Sequence, residues 1–155
     1  MLDLVEEFRS IVSALEAADV EFAVCGGLAV AIHAHPRATL DVDLLLPRDQ
    51  IDPAREVARR LGYQIETGAM VLRRNVVEMF RLPKPDPETG DLLSLDLLVV
   101  TPELEPAWET RERIAWEHGS IPVVSRAGLV AMKRLRGSGQ DLDDIRTLEE
   151  GDGED

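Results

Sequence analysis

The sequence predicts an α/β (α+β) protein in which strands and helices alternate along the chain. Three observations carry that expectation. Apolar residues make up 45% of 155 residues, which supports a true core in a chain able to bury roughly 68–70% of its unfolded surface. Apolar residues recur at three- and four-residue steps near both ends, with short apolar runs bounded by Gly and Pro between them. No internal repeat or long linker interrupts the pattern, so residues 1–148 read as one domain and 149–155 as a frayed acidic tail.

The elements follow in order. Leu4, Val5, Phe8, Ile11, Val12, Leu15 and Ala18 trace one face of a helix, with Glu6, Glu7, Arg9 and Glu16 between them. Val20–Cys25 reads as a strand stopped by Gly26-Gly27, and Leu28–Ala34 as a short helix closed by Pro36. Leu40–Leu46 is a strand ending at Pro47; Asp52-Pro53 opens a helix to Leu61, since proline is tolerated in a first turn. Tyr63–Ile65, Met70–Arg73 and Val76–Leu82 read as strands, and the proline-rich run Pro83–Gly90 as a loop. Leu92–Val100 is a strongly apolar strand, followed by a helical turn over Pro102–Thr110. Ile114–Trp116 and Ile121–Val124 flank a hairpin turn at Glu117–Ser120. A helix over Arg126–Arg136, a Gly-Ser-Gly break and a helix over Leu142–Leu148 complete the chain.

Charge narrows the partners. Thirty Asp and Glu against 17 Lys and Arg give a net charge of −13, which argues against broad duplex DNA binding, where cations must neutralise phosphates. Five of those acids lie in residues 149–155, leaving the remainder at −8, so a nucleotide or the end of an RNA stays compatible. No apolar run approaches the roughly 18 residues that span a bilayer, and Met1-Leu2-Asp3-Leu4 lacks a basic-then-apolar signal. The single cysteine, Cys25, excludes an intramolecular disulfide framework and a cysteine zinc cluster. The expectation is a cytoplasmic protein with no membrane partner.

Three aspartates stand in segments that otherwise favour burial. Asp41 and Asp43, two apart on one strand, project from the same face, and Asp96 lies in the middle of Leu92–Val100. Aspartate is disfavoured in strands and almost never buried without a partner. Two readings arise: a solvent-facing edge strand with Asp96 paired to an arginine, or a divalent-cation site. Flanks that are apolar on both faces favour the second, and oxygen-only ligands point to Mg²⁺ or Mn²⁺. Upstream, Gly26-Gly27 lies in a strand-to-helix turn where backbone N–H groups favour a phosphate, and Arg37-Ala38-Thr39 adds a guanidinium. A phosphate cradle, cations and carboxylates together suit phosphoryl transfer, which rests on positioning and charge neutralisation.

The run Phe22-Ala23-Val24-Cys25-Gly26-Gly27, thirteen further residues and Asp41-Val42-Asp43-Leu44 resembles the nucleotidyltransferase superfamily typified by DNA polymerase beta. Arg37-x-Thr39-x-Asp41-x-Asp43, with Lys133 on a late helix, is similar to its small bacterial branch of minimal nucleotidyltransferases and AbiEii-type toxins. The resemblance spans about residues 20–148 and implies a mixed β-sheet flanked by helices, with C-terminal helices. It implies a metal-dependent enzyme moving a nucleoside monophosphate from an NTP to a hydroxyl and releasing pyrophosphate. Asp41, Asp43 and Asp96 would be the catalytic residues and the metal ligands. Gly26, Gly27, Arg37, Thr39 and Lys133 would bind the nucleotide. An RNA end, a protein or a small molecule fits as acceptor, and an antitoxin or a second copy as partner. Gly27 stands where many relatives have serine and Gln140 where they have lysine, which opens the alternative of a catalytically inactive interaction module.

Other residues read more plainly. His33 and His35 lack a third ligand at metal-binding spacing, His118 sits in a turn, and Cys25 suits a small buried hydrophobe. Trp108 and Trp116 read as core aromatics, and Arg73-Arg74 and Lys133-Arg134-x-Arg136 as small basic clusters.

Overall fold

The computed structural model describes residues 3–33, 41–63, 69–72, 77–117 and 119–136. The first helix, α1 (Leu4–Ala17), begins at Asp3, whose side chain accepts from the backbone N–H of Val5 and Glu6. It buries Phe8, Ile11, Val12 and Leu15, the apolar stripe of the sequence. After β1 (Ala23–Cys25) the chain turns directly into α2 (Gly26–His33), then continues as β2 (Asp41–Leu46) and α3 (Arg48–Arg60). β3 (Ala69–Leu72), β4 (Val77–Pro85) and β5 (Leu92–Val99) follow. A 3₁₀ turn (Pro102–Leu104), α4 (Glu105–Glu109), the hairpin β6 (Glu112–Trp116) and β7 (Gly119–Val123), and α5 (Arg126–Arg136) complete the described elements.

The strands form one mixed seven-stranded sheet in the order β3-β4-β5-β2-β1-β7-β6. β2 lies at its centre, parallel to β5 and antiparallel to β1. This excludes the edge-strand reading of Asp41 and Asp43. Side chains alternate across the sheet, and the helices divide accordingly. Leu44, Leu97 and Phe80 are lateral neighbours on one face, where Arg55 of α3 stacks 5.0 Å from the Phe80 ring. On that same face Lys84 pairs with Glu7 of α1 at 2.9 Å. The opposite face carries Asp43 and is covered by α2 and α5. Leucines of β2 and β5 with 0% exposure (Leu44, Leu45, Leu46 and Leu97) make the sheet centre dry, which is what gives an aspartate there its cost.

Several boundaries differ from the sequence expectation, each for a local reason. The first strand is only three residues long, because its partner β2 ends at Leu46, before Pro47, and the N–H of Glu21 bonds instead to the Gln50 side chain at 2.9 Å. α2 starts at Gly26, two residues early. α3 starts at Arg48 behind Pro47, so Pro53 lies inside the helix and removes the bond to the carbonyl of Asp49, an exposed residue. The proline-rich run is not a loop from its start: Pro83, Lys84 and Pro85 extend β4, with Pro85 opposite Leu92. Among the described residues β3 pairs with β4 as far as Phe80, and beyond it these prolines meet no described strand on that side, which is where a missing N–H is tolerated. Tyr63 is no strand residue. Residues 64–65 and 73–76, the second C-terminal helix expected over 142–148 and the acidic tail lie outside the described residues.

Candidate active site

Register places the charged residues in a row. Cys25 of β1 pairs with Asp43 of β2, Asp43 with Asp96 of β5, and Asp96 with Arg81 of β4. Lateral neighbours project to one face, so these four side chains line up across four adjacent strands. Asp41, two residues before Asp43, joins that face opposite Ser94. The parallel β2–β5 pairing thus brings together the three carboxylates, 55 residues apart in the case of Asp41 and Asp96.

The row abuts the start of α2. Gly26 has φ +67°, a left-handed conformation that favours glycine, and a Cβ there would lie 2.1 Å from Asp43 Oδ2. The backbone therefore approaches the carboxylate as no other residue would allow, and Gly27, also buried, follows in the first turn. From the facing helix α5, Lys133 is buried to 3% exposure and lies near enough to pull the Asp43 pKa down. It is not an exposed helix lysine.

Burial first, then the Asp96 and Asp41 charges and a hydrogen bond to Asp96, push the Asp43 carboxyl up to about 7. Asp96, at 2% exposure, accepts from three groups. Arg81 forks onto it, Nε to Oδ1 at 2.9 Å and Nη2 to Oδ2 at 3.1 Å, and Ser94 Oγ donates to Oδ1 at 2.8 Å. The Arg81 guanidinium is raised by that hydrogen bonding, with smaller contributions from all three carboxylates. Half of the plainer sequence reading therefore holds, since Asp96 does pair with an arginine.

The donor set suits a hard divalent cation in chemistry: three carboxylates on one face, two of them in hydrogen-bonding contact and held together against their repulsion. In arrangement it is incomplete. Among the described residues no three His, Cys, Asp or Glu side chains are set to hold a metal ion, and Asp96 is committed to Arg81.

Of the residues singled out from the sequence, Asp41, Asp43, Asp96, Gly26, Gly27 and Lys133 converge here. Arg37 and Thr39 lie outside the described residues. Arg81 and Ser94 were missed. Ser94 had a signal, a second polar residue two positions before Asp96 in an apolar strand; Arg81 had none, because its place depends on the β4–β5 register. His33 is a buried packing residue whose Nε2 bonds the Val124 carbonyl oxygen at 2.8 Å, and Cys25 is buried. Trp116 packs edge-on to Phe8, and Trp108 lies under Arg111. No helix among the described residues is long and apolar enough to cross a membrane.

Solved structures share this fold. The antibiotic-resistance factor ANT(2'')-Ia, in a solution structure, matches with a TM-score of 0.64 at 11% identity over 93% of this chain and 81% of its own. A crystal structure of ANT(2'')-Ia in complex with adenylyl-2''-tobramycin matches with a TM-score of 0.60 at 11% identity, over 93% and 86%. TM1012 of Thermotoga maritima, provisionally assigned as a nucleotidyltransferase, matches with a TM-score of 0.61 at 12% identity, over 97% and 93%. No protein-family model matches the chain, and no curated protein matches it by sequence. The chain shares the fold of these structures, a mixed sheet flanked by helices, the architecture that the motif resemblance implied.

Proposed function

We propose that the protein is a metal-dependent nucleotidyltransferase that moves a nucleoside monophosphate from an NTP to a hydroxyl acceptor. The observation that supports this best is the contact between Gly26 and Asp43. It joins a glycine-opened helix start to a row of carboxylates at the centre of a nucleotidyltransferase-like sheet.

In this reading Asp41, Asp43 and Asp96 hold Mg²⁺ or Mn²⁺, which when bound supplies charge neutralisation for the phosphates and the attacking oxygen. Gly26 and Gly27 let backbone N–H groups meet the triphosphate, and Lys133 neutralises one phosphate from α5. Arg37 and Thr39 complete the nucleotide contacts. Asp96 takes the proton of the acceptor hydroxyl. The hydroxyl oxygen forms a bond to the α-phosphorus while the bond to the β-phosphate bridging oxygen breaks, and pyrophosphate leaves with that electron pair.

The acceptor class stays open to an RNA end, a protein or a small molecule, ANT(2'')-Ia being a structural neighbour seen with an adenylylated tobramycin. The Arg37-x-Thr39-x-Asp41-x-Asp43 run supports the AbiEii-like branch and, with it, a role beside an antitoxin. A second reading, a catalytically inactive interaction module, is favoured by the Arg81 fork on Asp96. Label transfer from α-labelled NTPs with Mg²⁺ or Mn²⁺ separates the two. Transfer by the wild type that disappears in an Asp41→Ala, Asp43→Ala double variant supports the enzyme. A wild type that neither binds metal–nucleotide nor transfers label to any acceptor class overturns it.

A further inference from the structure

An ionised carboxylate offers about four lone-pair positions. On Asp96, two accept from Arg81 and one from Ser94, and Asp43 lies in hydrogen-bonding contact beside them. A cation approaching Asp96 therefore meets a carboxylate with three of those positions already taken by protein donors.

We propose that Arg81 is a positioning residue, the resident counter-ion of Asp96, which a divalent cation must displace before the carboxylate row can bind it. The inference rests on the nucleotidyl-transfer reading of the site and names a residue which that reading does not use.

The two partners of the ion pair are unequal. The Asp96 side chain is 3% exposed and that of Arg81 is 45% exposed. Asp96 sits in a central strand with its side chain almost wholly buried, so leaving it without a cation is costly. Arg81 already reaches solvent and can move outward at little cost, its charge being well solvated there. The exchange is a substitution of one cation for another at the same carboxylate. Ser94 remains on Oδ1 throughout and keeps the carboxylate from turning. The released guanidinium stays beside the site with its fork free, the geometry that suits a phosphate or another anion on the incoming nucleotide or acceptor. A nucleotide thus favours the same state as the metal, which makes the binding of the two cooperative.

Mn²⁺ binding to the full chain, followed by electron paramagnetic resonance of the free ion, tests this without reference to activity. Arg81→Gln is expected to bind Mn²⁺ about tenfold more tightly than wild type without nucleotide, a screened part of what a nearby unit charge exerts. Arg81→Lys, which keeps the charge and loses the fork, falls between the two. Addition of a non-hydrolysable NTP tightens Mn²⁺ binding in wild type and does so less in Arg81→Gln. Mn²⁺ binding in Arg81→Gln that is equal to or weaker than wild type overturns the inference alone. A loss of packing would weaken binding, the direction opposite to that expected. Absence of Mn²⁺ binding in all three proteins, with and without nucleotide, overturns the nucleotidyl-transfer reading along with it.

Discussion

Gly26 and Asp43 occupy space that only a hydrogen atom can share: a Cβ on Gly26 would stand 2.1 Å from Asp43 Oδ2 and 2.6 Å from its Cγ. Gly26→Ala must therefore hold a left-handed backbone with a side chain and also push Asp43 aside. Strain of this kind costs about 1–3 kcal/mol, so urea unfolding should show a loss of that order. Gly119→Ala is the control, because nothing lies within 4 Å of its added carbon, and it should change stability by less than about 0.5 kcal/mol. Equal effects at the two glycines would remove the contact from any account of the site.

That contact was half legible in the sequence. Gly26-Gly27 after an apolar run marks a strand-to-helix turn, and Asp41-x-Asp43 marks two carboxylates on one face, but nothing in either motif says that they touch. The antiparallel pairing of Cys25 with Asp43 brings them together, and register is a tertiary property. Periodicity located α1 and α5 closely: α1 buries an apolar stripe, and α5 buries Leu129, Val130 and Met132 around Lys133. It failed at Pro83–Pro85, where proline read as a loop, because the cost of a missing N–H depends on whether the strand has a neighbour on that side. Arg81 was hidden for the same reason: it is an ordinary half-exposed arginine until β4 is laid against β5 with Arg81 opposite Asp96.

Ser94 bonds Asp96 Oδ1 at 2.8 Å from a buried position. Ser94→Ala removes a donor to a charged acceptor, an interaction worth about 1.5–3 kcal/mol, and leaves the Arg81 fork in place. The expected outcome is a destabilisation in that range. Transfer should show a larger fall in kcat than rise in KM for the NTP, since the carboxylate loses its orientation while the nucleotide contacts on α2 persist. Wild-type stability in Ser94→Ala would show that the hydroxyl bond contributes nothing.

Asp43 predicts a pH response of the metal-free protein. Its carboxyl is pushed up to about 7 by burial and by the neighbouring Asp96 and Asp41, against about 3.9 in an unfolded chain. The folded state thus holds a proton that the unfolded state releases. The contribution is fully present below the unfolded value and is lost as pH rises through about 7. In the presence of a chelator the melting temperature should fall over that window, and Asp43→Asn should flatten the fall. Saturating Mg²⁺ at pH 8 should restore the wild type, by about 2.7 kcal/mol at a hundredfold excess over Kd, and leave Asp43→Asn unmoved. A chelated wild type with constant stability from pH 5 to about 8 would contradict the crowding of the carboxylates.

On the opposite face of the sheet Tyr63 provides a second pH response, separable from the first. It is fully buried, its hydroxyl donates to Glu7 Oε2 at 2.9 Å, and Lys84 Nζ binds the same carboxylate while lying 5.4 Å from the ring centre. Burial, then the hydrogen bond and charge of Glu7, raise the phenol well above its ordinary value of about 10. The sign is that of a raised acid: stability is fully present below about pH 10 and is lost above it as the unfolded chain ionises first. Because the chain has one tyrosine, tyrosinate absorbance reports this group alone. It should stay absent until the protein unfolds in alkali, so that the absorbance and circular-dichroism transitions coincide. Tyr63→Phe should lose stability at neutral pH, where the bond to Glu7 is missing, and should unfold with a weaker dependence on alkali. A reversible absorbance change near pH 10 in the folded protein would show that the phenol is solvated and not held by Glu7.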